Sequence, residues 1–264
     1  TNIDSSDSSV DTPNNYGDEN GLGGELRGNY ASFDSLSNFG LNLKNGNLDW
    51  NGATASRYAR PTIFIDSGKW YFEFTMRSVN HIPGIIRSDH PDGYGVLGEL
   101  TSARFQDNGS IGYSGANPIN SGLGWSVGDV VQLYMDMDNR AIYWGVNGTL
   151  KVGSDGNTGD PTSGAAQTGA VIYGGMPGYT DQISFGKWGP AAGTSQAGGD
   201  TSVESSMNFG STEFKYPAPI GYKTLNTTNL ETPLIPVGNT QMDVVTYTGT
   251  GADQTISGLA FSPD

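Results

Sequence analysis

Apolar and polar residues alternate along residues 68–77. The apolar members of this segment are Trp70, Phe72, Phe74 and Met76. Because successive side chains of a β-strand point to opposite faces, the pattern predicts a strand with one face on a core. Residues 129–138 and 141–147 repeat the alternation on either side of a short polar turn, which predicts a β-hairpin. Trp70 and Trp144 fall on the predicted buried faces.

From residue 29 to about residue 226, short runs rich in aromatic and β-branched residues are separated by clusters of Gly, Asn, Asp and Ser. This organisation predicts an all-β body of many short strands joined by turns. Weaker strand candidates are residues 41–43, 47–50, 62–66, 111–113, 170–173, 183–185 and 207–209. Residues 153–169 and 186–206 show no regular alternation of apolar and polar residues. They are therefore predicted as long loops that are either functional or mobile.

The two ends of the chain differ from this body. Residues 1–28 are mostly Asp, Ser, Asn and Gly, with little apolar surface to bury, and they are expected to form an arm, extended or pinned to a neighbour. Pro233 and Pro236 stiffen residues 231–239, and strand-like residues resume from Met242. The predicted domains are therefore an arm over residues 1–28, a β body over 29–230, and a linker with the start of a further β segment over 231–264.

Composition narrows the function classes. Gly supplies 40 of the 264 residues and charged residues only 15%, which disfavours a helical fold. The net charge of −14 would repel a phosphate backbone and disfavours a nucleic-acid partner. The chain has no cysteine, which rules out disulfides, thiolate metal sites and a cysteine nucleophile. No apolar run approaches the roughly 18 residues of a membrane-spanning helix.

Three blocks of the sequence, in this order and spacing, resemble the SPRY domain. They are the strand at residues 68–74, the hairpin at residues 128–148, and the closing residues 207–210 with 214–216. The resemblance covers about residues 30–225. It implies a sandwich of two curved antiparallel β-sheets, similar to the concanavalin A-like jelly roll, whose loops at one edge bind a protein or a glycan.

The flanks carry a second resemblance. Residues 11–17 and 23–30, and residues 245–252 and 256–264, look like segments that flank SPRY-like domains in tailed-phage virion proteins. This resemblance implies other virion subunits as partners, a homo-oligomer, and a place on the virion surface or otherwise outside the cell. In such relatives the pattern continues into another β domain, so we expect a chain that begins at Thr1 and stops at Asp264 to be a processed piece.

Two motifs suggest catalysis and one suggests binding of a pyrophosphate, and each of the three has a structural alternative. Residues 124–128 match the nucleophile-elbow pattern GxSxG, but a strand rather than a helix is predicted after the serine, which favours a simple turn. Residues 93–98 match GxGxxG without a surrounding βαβ unit, which favours a Gly-rich strand. Asp136 and Asp138 share one side of a strand as glycosidase carboxylates would, or they form a hairpin shoulder in which Asp138 bonds the turn.

Two groups of residues are candidates for binding. Asp155, Asn157 and Asp160 place oxygen ligands at spacings that calcium accepts, although the loop lacks the distant bidentate Glu of an EF-hand, which favours a solvated turn. Sugar rings stack on aromatic faces, which makes four aromatic residues outside the clear strand patterns candidate ligand contacts. They are Tyr94, Trp125, Tyr179 and Trp188. Burial beneath loops is the alternative for each of the four.

The sequence therefore predicts a non-catalytic structural or adhesive component of a phage virion, such as a fibre, a spike or a head-decoration protein. No cofactor is predicted apart from the weak calcium signal. A host-surface glycan or protein is a further expected partner. The alternative is a carbohydrate-binding or weakly hydrolytic module of a secreted bacterial protein. A third hypothesis, a eukaryotic SPRY module that recruits a protein, is disfavoured by the flanks.

Overall fold

The computed structural model describes residues 20–24, 26, 28–92, 97–99, 101–119, 122–179, 183–195, 198–231, 246–253 and 255. The chain divides into two compact units, Thr1–Asn229 and Leu230–Asp264. In the second unit the described residues form neither helix nor strand, and most of the tail predicted to resume as strands lies outside the described residues. Across the described ranges, no helix is long and apolar enough to cross a membrane.

The first unit is built from β-strands. Those in the described residues are β1 (Phe33–Phe39), β2 (Asn42–Lys44), β3 (Asp49–Gly52), β4 (Tyr58–Pro61), β5 (Lys69–Thr75), β6 (His81–Arg87), β7 (Ser102–Phe105), β8 (Ile111–Tyr113), β9 (Ala116–Ile119), β10 (Val130–Asp136), β11 (Ala141–Val146), β12 (Thr149–Leu150), β13 (Ile172–Tyr173), β14 (Trp188–Thr194) and β15 (Asp200–Asn208). Short 3₁₀ helices cover Gly164–Ala166 and Thr227–Asn229.

The strands form two antiparallel sheets. Sheet 1 has the order β1-β4-β14-β6-β7-β8-β9, and sheet 2 has the order β12-β11-β10-β5-β15-β3-β2, with β13 paired to β11. Aromatic side chains fill the space between the sheets. The ring of Phe105 in sheet 1 lies 5.5 Å from the ring of Trp144 in sheet 2, centroid to centroid. The predicted all-β antiparallel sandwich is confirmed.

The centre of sheet 2 is the strand and the hairpin predicted from alternation. The register places Phe72 of β5 opposite Leu133 of β10, and Leu133 opposite Trp144 of β11. All three side chains are fully buried, and Trp70 is nearly so. Burial of each large apolar side chain stabilises the fold by about 1.5–3 kcal/mol. The alternating residues therefore form the core, as predicted.

Of the two long loops that the sequence predicts, the one at residues 186–206 is wrong. Residues 186–206 contain β14 and most of β15, and β14 lies between β4 and β6 in sheet 1. The small residues of β14 are required by close packing. A Cβ on Gly189 would lie 2.5 Å from Pro61 Cγ, and a Cβ on Gly193 would lie 2.9 Å from the Arg57 carbonyl oxygen. Because both faces of β14 are buried, its sequence shows no polar alternation.

The weaker strand candidates divide into two groups. Residues 111–113 coincide with β8, and four other candidates overlap β2, β3, β13 and β15 with shifted ends. Residues 62–66 and 183–185 are not strands. Ile65 makes an isolated bridge to Trp188, and Ile183 is buried in a turn. These apolar residues are covered by loops, and the sequence pattern does not distinguish that burial from burial in a sheet.

The chain joins and leaves the sandwich at one place. Tyr30 pairs with Asn226 in an antiparallel bridge, and the Thr227 N–H donates to the Asn29 carbonyl at 3.0 Å. Residues just before Asn226 pair with the start of β5. Both crossings therefore lie toward the end of the sandwich where β5 begins, here named the terminal end. The opposite end, with the β5–β6 and β9–β10 connections, is named the distal end.

Candidate functional site

The outer face of sheet 2 is partly covered by residues 210–222, here named the strap. Phe214 of the strap packs edge to face on Tyr71 of β5, with ring centroids 4.7 Å apart. Tyr222 packs in the same manner on Tyr134 of β10 at 5.9 Å. These rings belong to a second apolar cluster, on the side of sheet 2 away from the core. The strap therefore buries the aromatic residues that point outward from β5 and β10.

A single carboxylate fastens the strap. Glu73 Oε2 accepts the Lys215 N–H at 2.8 Å, and Oε1 accepts the Tyr216 N–H at 2.8 Å and the Tyr71 hydroxyl at 2.8 Å. Burial raises the pKa of the Glu73 carboxyl above its ordinary value, and the two backbone donors oppose that shift. The same burial raises the pKa of Tyr71, which stays a neutral donor. Glu73 is thus a structural anchor.

Beside the strap, the outer face of sheet 2 is open and forms a groove of about 940 Å³, here named the outer groove. Its lining comes from β2, β3, β5, β10, β15 and the strap. The charged side chains that line it are Lys44, Asp49, Glu73, Glu204, Glu213 and Lys215. Among the described residues, four carboxylates and two ammonium groups give this lining a net charge of −2, and none of the lining side chains is aromatic.

The carboxylates of the outer groove influence one another. Glu204 forms an ion pair with Lys44 and accepts the Asn51 side-chain amide at 3.1 Å. The pKa of Asp49 is raised, first by burial and further by the negative charge of Glu204, while hydrogen bonds from Ser206 and Asn45 oppose the shift. The groove is therefore a site of negative potential on an already acidic chain.

A serine, a histidine and an aspartate meet near the distal end. The Ser205 hydroxyl lies 2.8 Å from His81 Nδ1, and His81 Nε2 lies 3.0 Å from the backbone carbonyl oxygen of Asp200. Burial lowers the pKa of His81, so the neutral ring donates from Nε2 and accepts the serine proton at Nδ1. A hydrolase triad needs an accessible serine and a carboxylate that orients the imidazole. Ser205 is fully buried and the orienting group is a carbonyl, so the trio links β15 to β6 as a structural contact.

A buried lysine lies under the β9–β10 connection. Lys151 is 1% exposed, and its ammonium donates to the Leu123 carbonyl at 3.1 Å. The ammonium also lies 5.5 Å from the centroid of the Phe105 ring. Burial lowers the pKa of Lys151 to about 8. Because protein covers the amine, it serves to hold the connection rather than to react.

The two tryptophans predicted as ligand contacts are buried. Trp125 is 3% exposed and its indole N–H donates to the Phe105 carbonyl at 3.2 Å. Trp188 is fully buried and its indole N–H donates to the Phe185 carbonyl at 2.9 Å. Neither indole offers a ring face to a ligand unless the surrounding loops open. The ligand role of these residues stays a prediction.

The four aromatic candidates do not form one site. Trp125 lies in the β9–β10 connection at the distal end, whereas Tyr179 and Trp188 lie toward the terminal end. Tyr179 is half-buried. Tyr94 lies outside the described residues. The sequence could not show this separation, because the side of the sandwich on which a loop lies depends on the strand order.

The three residues predicted to bind calcium form closed turns. Asp155 accepts the Asn157 N–H and the Gly169 N–H, both at 2.9 Å, and Asp160 accepts the Thr162 N–H at 2.9 Å. These are the bonds of solvated Asx turns. Among the described residues, no group of three or more His, Asp or Glu side chains could hold a metal. Calcium at this loop stays a prediction.

The paired aspartates of the hairpin both bond backbone. Asp136 is fully buried, accepts the Asn139 N–H of the turn at 3.0 Å and forms an ion pair with Lys69 at 3.1 Å. Asp138 instead accepts the Gly68 N–H, before β5, at 2.7 Å. The expectation that Asp138 bonds the hairpin turn is therefore wrong, because Asp136 does so. A fully buried Asp136 does not fit a general acid that must reach a sugar.

The GxSxG residues form a turn, as the structural alternative predicted. The Ser126 N–H donates to Asp129 Oδ2 at 2.7 Å, and β10 follows immediately. No helix begins after the serine, so the strained strand-to-helix elbow is absent at this motif. Most of the GxGxxG match, residues 93–96, lies outside the described residues.

Comparison with known proteins decides the fold. No protein-family model matches the sequence, and no curated protein matches it. Among solved structures, the SPRY domain of human HERC1 matches with a TM-score of 0.50 at 12% sequence identity, over 70% of this chain and 99% of that domain. The sandwich has the SPRY fold. The PSpry domain of TRIM65 also matches, with a TM-score of 0.46 at 11% identity, over 68% of this chain and 92% of that one.

The SPRY fold accounts for the three sequence blocks that suggested it. They become β5, the β10–β11 hairpin, and the end of β15 with the strap. The resemblance of the flanks to phage virion proteins concerns residues that lie largely outside the described part of the chain, and it stays a prediction.

Proposed function

We propose that this protein is a non-catalytic structural or adhesive component of a phage virion that presents its SPRY sandwich outward. The observation that carries the proposal is that the chain enters and leaves the sandwich at the terminal end, where Tyr30 pairs with Asn226. A module held at one end leaves its other end free for a partner. SPRY domains are in general interaction modules, which supports a binding role.

The virion context rests on the flanks. Residues 11–17 and 23–30, and residues 245–252 and 256–264, resemble segments beside SPRY-like domains in tailed-phage proteins. Such flanks would join the sandwich to other virion subunits, in a homo-oligomer such as a fibre, a spike or a head decoration. In the described residues, Ser205 and His81 are buried and Asp200 contacts the ring only through its backbone carbonyl, which supports a role without catalysis.

The distal end offers a surface for adhesion. Val79 in the β5–β6 connection is 47% exposed, and Val127 in the β9–β10 connection is 58% exposed. The two connections are joined, because the Gly128 N–H donates to the Met76 carbonyl at 2.7 Å. Exposed apolar side chains on adjacent, hydrogen-bonded loops are suited to contact a protein on a host surface.

The location is tested by mass spectrometry of purified virions and of the host cell fraction. We expect peptides of this chain in virions, at a fixed copy number relative to the other subunits. Detection in the cell fraction alone would contradict the proposal. Native mass measurement of the assembly then separates a trimeric fibre from a high-copy shell protein.

The adhesive surface is tested by competition. The purified protein should reduce attachment of virions to host cells, and Val79→Asp with Val127→Asp should abolish that effect. Leu36→Asp is the matched control, because Leu36 is 94% exposed on β1 and belongs to neither connection. Equal competition by the double variant and by the wild type would exclude the distal end as the adhesive surface.

A further inference from the structure

We propose that the outer groove binds an extended, lysine- or arginine-containing segment of a different protein. The proposal goes beyond the virion assignment and does not depend on it. It concerns the open half of one sheet face, whereas the adhesive surface proposed above lies on the distal loops.

The shape of the groove suits an extended chain. Lys44 and the β2–β3 turn form one wall, the strap forms the other, and the small side chains of Thr75 and Ser206 lie between them. Its volume of about 940 Å³ is within the range of ligand sites and exceeds what a single side chain fills. An extended segment advances about 3.3 Å per residue, so several residues would lie along the floor.

The charges of the groove select a cation. Glu73 has both oxygens occupied by the strap and by Tyr71, so it contributes negative potential rather than a direct contact. Asp49 and Glu204 are close enough for the charge of Glu204 to raise the pKa of Asp49. Lys44 already pairs with Glu204 and lowers the pKa of Asp49, so it offsets part of this repulsion, and a further cation beside the two carboxylates would add to that effect. Glu213 is exposed on the strap and adds a fourth carboxylate.

Other occupants fit less well. None of the described residues that line the groove is aromatic, so a sugar ring or a nucleobase finds no stacking partner among them. Its net negative charge repels phosphate groups. A second copy of this chain has a net charge of −14 and would be repelled as well. Charge complementarity therefore favours a basic segment of another protein.

The experiment uses the full chain and a fluorescent peptide of alternating lysine and threonine, with a glutamate and threonine peptide as the control ligand. We expect the lysine peptide to bind at low ionic strength, with an affinity that falls as salt is added, and the glutamate peptide not to bind. Absence of lysine-peptide binding at low ionic strength, or equal binding of the two peptides, overturns the proposal.

Changes in peptide affinity among variants show whether the peptide binds in the outer groove. Glu204→Gln and Glu213→Gln should each weaken binding about fivefold, the equivalent of one exposed charge pair. Lys215→Gln should strengthen binding by a similar factor, a gain that misfolding does not produce. Asp66→Asn, which removes a half-exposed carboxylate paired with Lys187 outside the groove, should leave the affinity unchanged. Equal effects of Glu213→Gln and Asp66→Asn, or no gain with Lys215→Gln, would place binding elsewhere and overturn the proposal.

Discussion

At the scale of single residues, buried polar side chains hold the segments that lack a full set of sheet partners. Glu73 fastens the strap, Asp136 closes the hairpin turn, and Lys151 holds the β9–β10 connection. Each is buried with partners that satisfy its charge or its hydrogen bonds. Removing such a side chain leaves backbone donors or acceptors unpaired, which costs more than the net value of one hydrogen bond.

Glu73→Ala should lower the free energy of unfolding by about 1–3 kcal/mol, because the N–H groups of Lys215 and Tyr216 lose their acceptor. Urea unfolding measures the change. The matched control is Glu213→Ala, an exposed carboxylate two residues before Lys215, with an expected change within about 0.5 kcal/mol. Equal destabilisation by the two variants would show that the strap does not depend on Glu73.

His81 should make the stability depend on pH. Burial lowers its pKa below the ordinary value of 6.5, so the folded chain keeps the ring neutral while the unfolded chain takes up a proton. This contribution is complete above about pH 6.5 and is lost as the pH falls below that value. Unfolding free energies between pH 7.5 and 5 should fall more steeply for the wild type than for His81→Gln. Any contribution of His90 to the pH dependence is the same in both proteins and does not affect the comparison. Parallel curves of unfolding free energy against pH would therefore refute the role of His81.

At the scale of elements, the two sheets follow different sequence rules. β5, β10 and β11 alternate large apolar residues with outward residues, and they were predicted from that alternation. After Trp188, β14 consists of small residues because its neighbours approach closely, and no strand was predicted there. β6 shows the same requirement, since a Cβ on Gly84 would lie 2.4 Å from the Ala103 carbonyl oxygen.

Gly189→Ala tests the close packing of β14 on β4. The added methyl group would lie 2.5 Å from Pro61 Cγ, and the resulting shift should cost about 1–3 kcal/mol of unfolding free energy. Gly249→Ala is the control, because nothing lies within 4 Å of a Cβ at that position. Differential scanning calorimetry of both variants gives the comparison, and an unchanged melting temperature for Gly189→Ala would contradict the tight packing.

At the scale of the whole molecule, residues far apart in sequence complete the sandwich together. The Gly24 N–H donates to the Gly210 carbonyl at 2.7 Å, and the Phe214 N–H donates to the Leu22 carbonyl at 2.6 Å. The last residues of the predicted arm, where the structure describes them, therefore pair with the strap. These described residues contact the chain's own sandwich, and the arm over residues 1–28 stays a prediction.

Truncation separates the two parts of the arm. A chain that starts at Asn20 retains the residues that bond the strap and is the reference. A chain that starts at Asn29 loses those backbone hydrogen bonds and should unfold with about 1–3 kcal/mol less free energy. Thermal unfolding monitored by circular dichroism measures both. Identical melting curves would show that the arm contributes nothing to the fold.

The sequence by itself determined the fold class, the central strands and the absence of cysteine chemistry, because alternation and composition are local properties. It also indicated that Trp70 and Trp144 belong to the core. The tertiary structure decided the rest, since strand order controls which loops share an end and which side chains share a face. Trp125 and Trp188 became buried in this way, and Asp49, Glu73, Glu204 and Glu213 came to line one groove. The spacing of those four carboxylates in the sequence does not bring them together. They meet because β3 and β5 both pair with β15 and because the strap crosses the same sheet face.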